Sequence, residues 1–477
     1  MFKDLREFIK KAEEIGEYQL IEGADWNLEL GTISALKGEI PGSPLLVFDK
    51  IKGYPAGYRV ATNLATTAKR MALCYDLPTE ASGIELVRAM RDRLKEGIEP
   101  IPPVEVKTGP VKENVLVGDK VDLYQFPSPI WHEHDGGRYI GTGTCVITRD
   151  PEEGWVNFGA YRVQVQDKNT VTVSMAGGHH GNIMRAKYWA KGEPCPVAIC
   201  CGQAPILFCA SQLAIPWGLS EYDWSGGWQR APIEVTRGVT TDLPIPATAE
   251  LVLEGEVVPP SVETRPEGPF GEWSGHYAGG VRKMPAVRIK SVLHRNDPII
   301  QGAAPAILPR IWTLGRHIEI AATLWEELDR QIPGVKGVWV MEEGGIRSII
   351  VISLKQLYGG HAKQAALIAT GALVTGYAMR YVIVVDEDVD PSNLAEVMWA
   401  VGTRSEPEEI DILRGCWGSN ANPRLTPEQR KIDDREHSVG IILACKPYKW
   451  MKDFPESIKI SPELASKTRK KWAHLFP

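Results

Sequence analysis

The chain has 477 residues, enough for two or three domains with substantial cores, and its 43% hydrophobic and 24% charged residues are those of an ordinary soluble globular protein. A formal net charge of −6 offers no electrostatic footprint for nucleic acid, and no apolar run is long enough to span a membrane. The eight cysteines include no CxxC pair and most lie in apolar surroundings such as "VAICCG", which points to buried reduced thiols rather than a disulfide or zinc framework.

In chain order, the N-terminus sets Phe2, Leu5, Phe8, Ile9, Ala12 and Ile15 at helical spacing among charges. This is an amphipathic helix of the mature protein and not a signal peptide, so a cytoplasmic location is expected. The helix "GIELVRAMRDRLKEG" precedes a Pro-rich break, "IEPIPPVEVKTGP". From there to about residue 310 the signal turns to strand, with "GTCVITRD", "YRVQVQ", "TVTVSM", "PVAICCG", "AELVLEGEVV" and "AVRIKSVLHR", a density that suggests a barrel or a strongly bent sheet. After Pro309, helices such as "HIEIAATLWEELDRQ" alternate with strands such as "SIIVISL" and "YVIVVDEDVD", the pattern of a separate α/β layer domain. The tail "SPELASKTRKKWAHLFP" has a Ser cap, a Pro at its first helical position and Leu464, Trp472 and Leu475 among cations, so it reads as a terminal helix that docks on its own chain or on a neighbour. The reading is an α/β (α+β) protein with an N-terminal α/β region over 1–108, a strand-rich domain over 109–310 and a C-terminal α/β domain over 311–477.

Three stretches carry candidate chemistry. In "TRPEGPFGEWSGHYAGG", Thr264 to Gly280, Glu267 and Glu272 stand five residues apart with Gly268, Pro269 and Gly271 between them. That spacing excludes a helix and a regular strand alike, so a bent loop is expected. A surface turn with two solvated acids is the plain alternative, but Phe270, Trp273 and Tyr277 intersperse the acids with rings that suit a pocket wall and make the pair a candidate for acid–base work. In "WVNFGAYRVQVQ", Asn157 and Arg162 flank Gly159, and the following hairpin ends in "SMAGGHHGNIMRAKYW", where Gly177 and Gly178 lead to His179, His180 and a helix beginning near Asn182. Strand, Gly-rich turn and helix N-terminus make an anion site. The third stretch, "GLSEYDWSGGWQ", supplies Glu221 in another glycine-rich turn. Asn, His and Glu are a hard donor set that suits Mn²⁺ or Mg²⁺ better than zinc, although no spacing rule makes them converge.

The stretches "DGGRYIGTG", "NFGAYR", "GGHHGNIM", "GLSEYDWSGG", "EGPFGEWSGHY", "VIVVDEDVD" and "WAVGTR" occur in the order found in the UbiD family of prenylated-FMN-dependent decarboxylases, which the chain resembles over nearly its whole length. The resemblance implies a split β-barrel flavin-binding domain at 109–310 and a C-terminal domain that oligomerises, as a homodimer or homohexamer. It implies that Asn157, His180 and Glu221 hold a divalent metal that clamps the phosphate of prenylated FMN, with K⁺ as a second ion and His179 beside them. It makes Arg162, Glu267 and Glu272 the catalytic group: Glu272 the proton donor, Glu267 the residue that orients Arg162, and Arg162 a contact for the cofactor as well. Arg380 falls near a cofactor-contacting lysine of the family. The implied activity is reversible, non-oxidative decarboxylation of an aromatic, heteroaromatic or aryl-acrylic acid through a covalent prenylated-FMN adduct, with a flavin prenyltransferase supplying the cofactor. A physiological carboxylase, or a non-catalytic cofactor-binding subunit of a multi-subunit carboxylase, is the alternative.

Overall fold

Alternating burial along the middle strands organises the molecule. In the computed structural model, which describes residues 1–175, 177–303, 313–345, 347–376, 378–458 and 460–476, the strand Cys145–Arg149 sends Cys145 and Ile147 into one apolar cluster and Val146 into another. Cys195–Cys200 divides in the same way, with Ala198 and Cys200 on one side and Val197 and Ile199 on the other. Successive side chains of a strand point to opposite faces. A sheet that feeds two clusters is therefore buried on both faces, which is why its strands read as continuous apolar runs.

These strands belong to one ten-stranded sheet in the order Tyr139–Gly141, Val163–Val165, Thr170–Val173, Arg282–His294, Leu251–Val257, Cys195–Cys200, Cys145–Arg149, Val156–Ala160. Thr264–Glu267 and Asn114–Val117 are further partners of the long Arg282–His294 strand. Every ladder in it is antiparallel. Thr264–Glu267 corrects the expectation of an uninterrupted loop: the first four residues of that stretch pair with Arg282 to Pro285, and Glu267 ends the ladder opposite Arg282. Ile299–Gln301 leaves this region to pair in parallel with Arg59–Thr62 in an N-terminal sheet of order Tyr18–Glu22, Leu45–Asp49, Arg59–Thr62, Ile299–Gln301. The segment that follows the long strand is thus the edge strand of the N-terminal sheet.

The helix Leu5–Glu14 forms as its sequence dictates. Asp4 caps it by accepting the Glu7 N–H at 2.8 Å, and Leu5, Phe8 and Ala12 are buried. Each large apolar side chain so buried contributes roughly 1.5–3 kcal/mol. The C-terminal region has a five-stranded sheet in the order Val335–Val340, Ile349–Leu354, Tyr381–Asp386, His437–Ala444, Asp411–Cys416, parallel in its middle and antiparallel at both edges. The terminal helix Pro462–Lys471 is present, with Ser461 accepting the Leu464 N–H at 3.2 Å, and none of its residues is buried against its own chain. All eight cysteines carry free thiols, seven of them buried. Among the described residues no helix is long and apolar enough to cross a membrane.

The two motifs "VIVVDEDVD" and "WAVGTR" meet in a buried ion cluster. Arg404, 1% exposed in its side chain, donates to Asp388 through both terminal nitrogens at 2.8 and 2.9 Å and to Asp386 at 3.1 Å. The hydrogen bond from Arg404, opposed by burial, holds the Asp388 carboxyl well below the usual aspartate range. A depressed carboxyl stabilises the fold fully above the unfolded aspartate value of about 4 and loses that contribution as pH falls towards its folded value. Wild-type protein should therefore lose stability to urea more steeply between about pH 5 and pH 2 than Asp388→Asn does. Parallel acid dependences of the two midpoints would count against the cluster as an acid-sensitive brace.

Candidate active site

The strand Val156–Ala160 places Asn157 and Gly159 on one face, and the ring of Tyr161 lies against Gly159. A Cβ on Gly159 would lie 2.6 Å from that ring, so glycine is what lets the ring sit there. The Tyr161 hydroxyl accepts the Gly181 N–H at 3.3 Å and hydrogen-bonds Asn157, tying the strand to the helix His180–Ala190. That helix begins at His180, two residues before the expected start near Asn182, because His179 takes the N-cap position and its carbonyl already accepts the Asn182 and Ile183 N–H groups. His179 makes no side-chain cap bond, and it lines the cavity described below together with His180.

Glu221 was expected in a turn and instead opens the helix Glu221–Gln229, because Ser220 caps it by accepting the Tyr222 N–H. Its carboxylate is 4% exposed and accepts the Phe158 N–H at 2.7 Å, next to Asn157. Burial, only partly offset by that backbone bond, pushes the Glu221 carboxyl up to about 8. Burial also lowers the pKa of His180, whose ring packs edge-on against Trp155 and Trp217, and so favours the neutral imidazole, in which one ring nitrogen can act as a ligand. Among the described residues no ion pair holds the Glu221 carboxyl, and with a buried amide oxygen and an imidazole beside it the set fits a hard divalent ion. Among the described residues no cluster of three or more His, Cys, Asp or Glu marks a metal site, and this set contains only two of those types.

Arg162 meets both glutamates of the Gly-rich stretch. It donates to Glu267 through Nε at 2.7 Å and Nη2 at 3.0 Å, a two-pronged pair, and to Glu272 through Nη1. The side chains of Arg162, Glu267 and Glu272 are 15%, 1% and 11% exposed. Burial works against the Arg162 charge, but the ion pairs with Glu272 and Glu267 outweigh it and raise its pKa above the ordinary guanidinium value. The Tyr139 hydroxyl supports Glu267 from behind at 3.3 Å, and the Phe270 ring lies 5.2 Å from the guanidinium.

A cavity of ≈ 360 Å³ joins these two groups. Asn157, Arg162, His179, His180, Glu221 and Glu272 all line it, with Phe270 and Trp273 on its wall. Glu267 is outside the lining, behind Arg162. The structure thus separates the two acids: one faces the cavity and one does not. Arg380 is also outside the lining, because its backbone is committed to Ser348 at the start of the Tyr381–Asp386 strand and its guanidinium lies near His437. Arg347 reaches the wall instead, together with Leu373, Val374, Trp417, Asn420 and Ala421 from the C-terminal region. Sequence reasoning missed these residues. The glycine-rich "RGCWGSNANP" was the one signal that could have raised the last three.

Three consecutive sequence profiles match the chain: the 3-octaprenyl-4-hydroxybenzoate carboxy-lyase N-terminal domain over residues 9–90, its Rift-related domain over 103–307 and its C-terminal domain over 313–442. The chain belongs to the UbiD family of carboxy-lyases. A phenolic acid decarboxylase of Sedimentibacter hydroxybenzoicus is 34% identical over 449 residues, 90% of this chain and 89% of that one. The vanillic acid decarboxylase of the same organism, in closed form, is similar in structure with a TM-score of 0.86 at 29% identity over 100% of both chains. An evolved dimeric form of the UbiD-class enzyme HmfF from Pelotomaculum thermopropionicum, in complex with prFMN, gives 0.81 at 27% identity over 98% of both. The UbiD-family chain is accordingly a decarboxylase with the mixed α/β fold of these enzymes.

Proposed function

We propose that this UbiD-family chain decarboxylates an aromatic, heteroaromatic or aryl-acrylic acid, reversibly and without oxidation, with prenylated FMN as cofactor. The observation that carries the reading is the unequal grip on Arg162: Glu267 holds it by two bonds from outside the cavity, and Glu272 by one from inside. Asn157, His180 and Glu221 would hold Mn²⁺ or Mg²⁺ against the cofactor phosphate, K⁺ would sit nearby, and His179, at the head of the helix His180–Ala190, would face the same anion. When bound, prenylated FMN supplies the electron sink that an sp² carbon losing CO₂ lacks. A flavin prenyltransferase would provide it.

Arg162 is the group that receives the substrate carboxylate, since its planar fork matches two oxygens and Glu267 keeps it oriented while Glu272 lets go. Trp273 and Phe270 supply a flat apolar wall beside it. As the bond to the carboxyl carbon breaks, CO₂ leaves and the bonding electron pair stays with the ring or vinyl carbon, which takes its proton from Glu272 in the neutral acid form, leaving Glu272 as the carboxylate that returns to Arg162. Carboxylation uses the same residues in reverse. Leu464, Trp472, Leu475 and Phe476 are exposed on the terminal helix and its extension, which favours a homodimer or a multiple of it in which a second copy covers them.

Two variants test the assignment on protein co-produced with the prenyltransferase and handled without oxygen. His180→Ala should lose flavin and manganese together, since removing a ligand outright should cost at least the roughly 10–100-fold in metal affinity that mutating a ligand's supporting partner typically costs; full retention of both would remove the metal site. Glu272→Gln should keep its flavin but lose turnover by about 10²- to 10⁴-fold, along with deuterium exchange from solvent into the product. Exchange at the wild-type rate in that variant would exclude Glu272 as the proton carrier and turn attention to His276, which is exposed and bonded to the Ser274 carbonyl.

A further inference from the structure

The loop that carries Glu272 is held by a second segment, Trp131 to Arg138, at direct backbone contact. A Cβ on Gly136 would lie 1.9 Å from the Gly268 carbonyl oxygen, and one on Gly271 would lie 2.6 Å from His132 Nδ1. The Gly136 N–H donates to the Pro269 carbonyl at 2.7 Å. Gln164 bridges the two segments by accepting the Gly268 N–H at 3.0 Å and donating to the Gly136 carbonyl at 3.1 Å. These bonds all fall before Glu272 and fix the entry to the loop.

Asp135 makes the bond nearest to Glu272. Its side chain is fully buried, and its Oδ1 accepts the Gly271 N–H at 2.9 Å, one residue before the proton carrier. Its Oδ2 accepts the His132 N–H at 3.0 Å and faces His132 Nδ1 at 3.1 Å. A carboxylate offers acceptors only, and here donors from two segments converge on one. On its far side Glu272 is bonded within its own turn, by its N–H to the His276 carbonyl at 3.1 Å and by the Gly275 N–H to its carbonyl at 2.9 Å. The next anchors to other segments lie farther along the loop, where the Tyr277 hydroxyl accepts the His134 N–H at 3.3 Å and the Ala278 carbonyl accepts from Arg430, whereas Gly271 adjoins Glu272 directly. Asp135 is not among the residues lining the cavity, and its effect on any reaction there passes through Gly271.

We propose that Asp135 is a positioning residue for proton transfer: through the Gly271 amide it fixes the backbone from which Glu272 reaches both Arg162 and the cavity. This rests on the reading of Glu272 as the proton carrier. The Asp135–His132 pair supplies the registration that Glu272 needs to leave Arg162 and return to it in every cycle, while the metal and phosphate end of the cavity, built on other segments, is untouched.

The test compares Asp135→Ala with wild type, first without cofactor and then loaded. In the flavin-free proteins, amide exchange followed by mass spectrometry should accelerate across 268–276 in the variant and stay at the wild-type rate across 180–190. In the loaded proteins, flavin content should be unchanged while kcat falls about 10²-fold, the scale expected when a catalytic group shifts by about 1 Å. Deuterium exchange into the product should fall with kcat, and KM should change less. Asp135→Asn, which keeps an acceptor oxygen for Gly271, should recover most of the loss. Asp135→Ser, too short to reach Gly271, carries the same expectations as alanine if the alanine variant does not fold. Unaltered amide exchange across 268–276, or wild-type kcat per bound flavin, would overturn the proposal. Failure of the underlying reading has a separate signature, namely wild-type deuterium exchange in Glu272→Gln, whatever the 268–276 amides show.

Discussion

One guanidinium, buried between two carboxylates, is the constraint on which the rest of this structure depends. Arg162 sits where water barely reaches, and an unpaired charge there would cost several kcal/mol, so its partners must be built in. Glu267 meets that need from the end of a ladder, supported by Tyr139, and is rigid for the same reason. Glu272 meets it from a glycine-rich loop and is the partner that can be released without stranding the arginine. The unequal support of two chemically identical side chains creates a division of labour that neither residue type could show alone.

The same logic extends to the other end of the cavity. Glu221 is buried, bonded to the Phe158 N–H, and left with its charge disfavoured by burial. Gly159 and Gly181 bracket the Tyr161 ring, whose hydroxyl joins the Asn157 strand to the His180 helix. Donors from three elements therefore converge through backbone geometry rather than through contacts with one another. The C-terminal region completes the enclosure with Trp417 and Asn420, and Arg430 bonds the carbonyls of Ala278 and Asn422, linking this wall to the loop that bears Glu272. The enclosing wall and the loop that bears Glu272 thus share a boundary.

Much of this was legible in the sequence, for physical reasons that differ by element. The middle strands could be read because both faces of their sheet are buried, which leaves long apolar runs, and the first helix because its apolar stripe is local. Glu267 and Glu272 could be marked as a pair, but their meeting with Arg162, more than a hundred residues earlier, came from family resemblance; no local pattern encodes it. The strand Thr264–Glu267 was missed because its ladder partner lies beyond the loop, so the short pairing leaves no periodic trace. Arg380 and Arg347 show the same limit from the other side: both are arginines beside strands of one sheet, and only the tertiary path of the chain decides which one faces the cavity.

The most direct measurement is a crystal structure of the flavin-loaded protein with an aromatic carboxylate that resists decarboxylation. The account predicts the ligand carboxylate within hydrogen-bond distance of Arg162, both Glu267 bonds retained, and Glu272 released from the guanidinium towards the ligand carbon. A carboxylate bound away from Arg162, with the Arg162–Glu272 pair still closed, would contradict it.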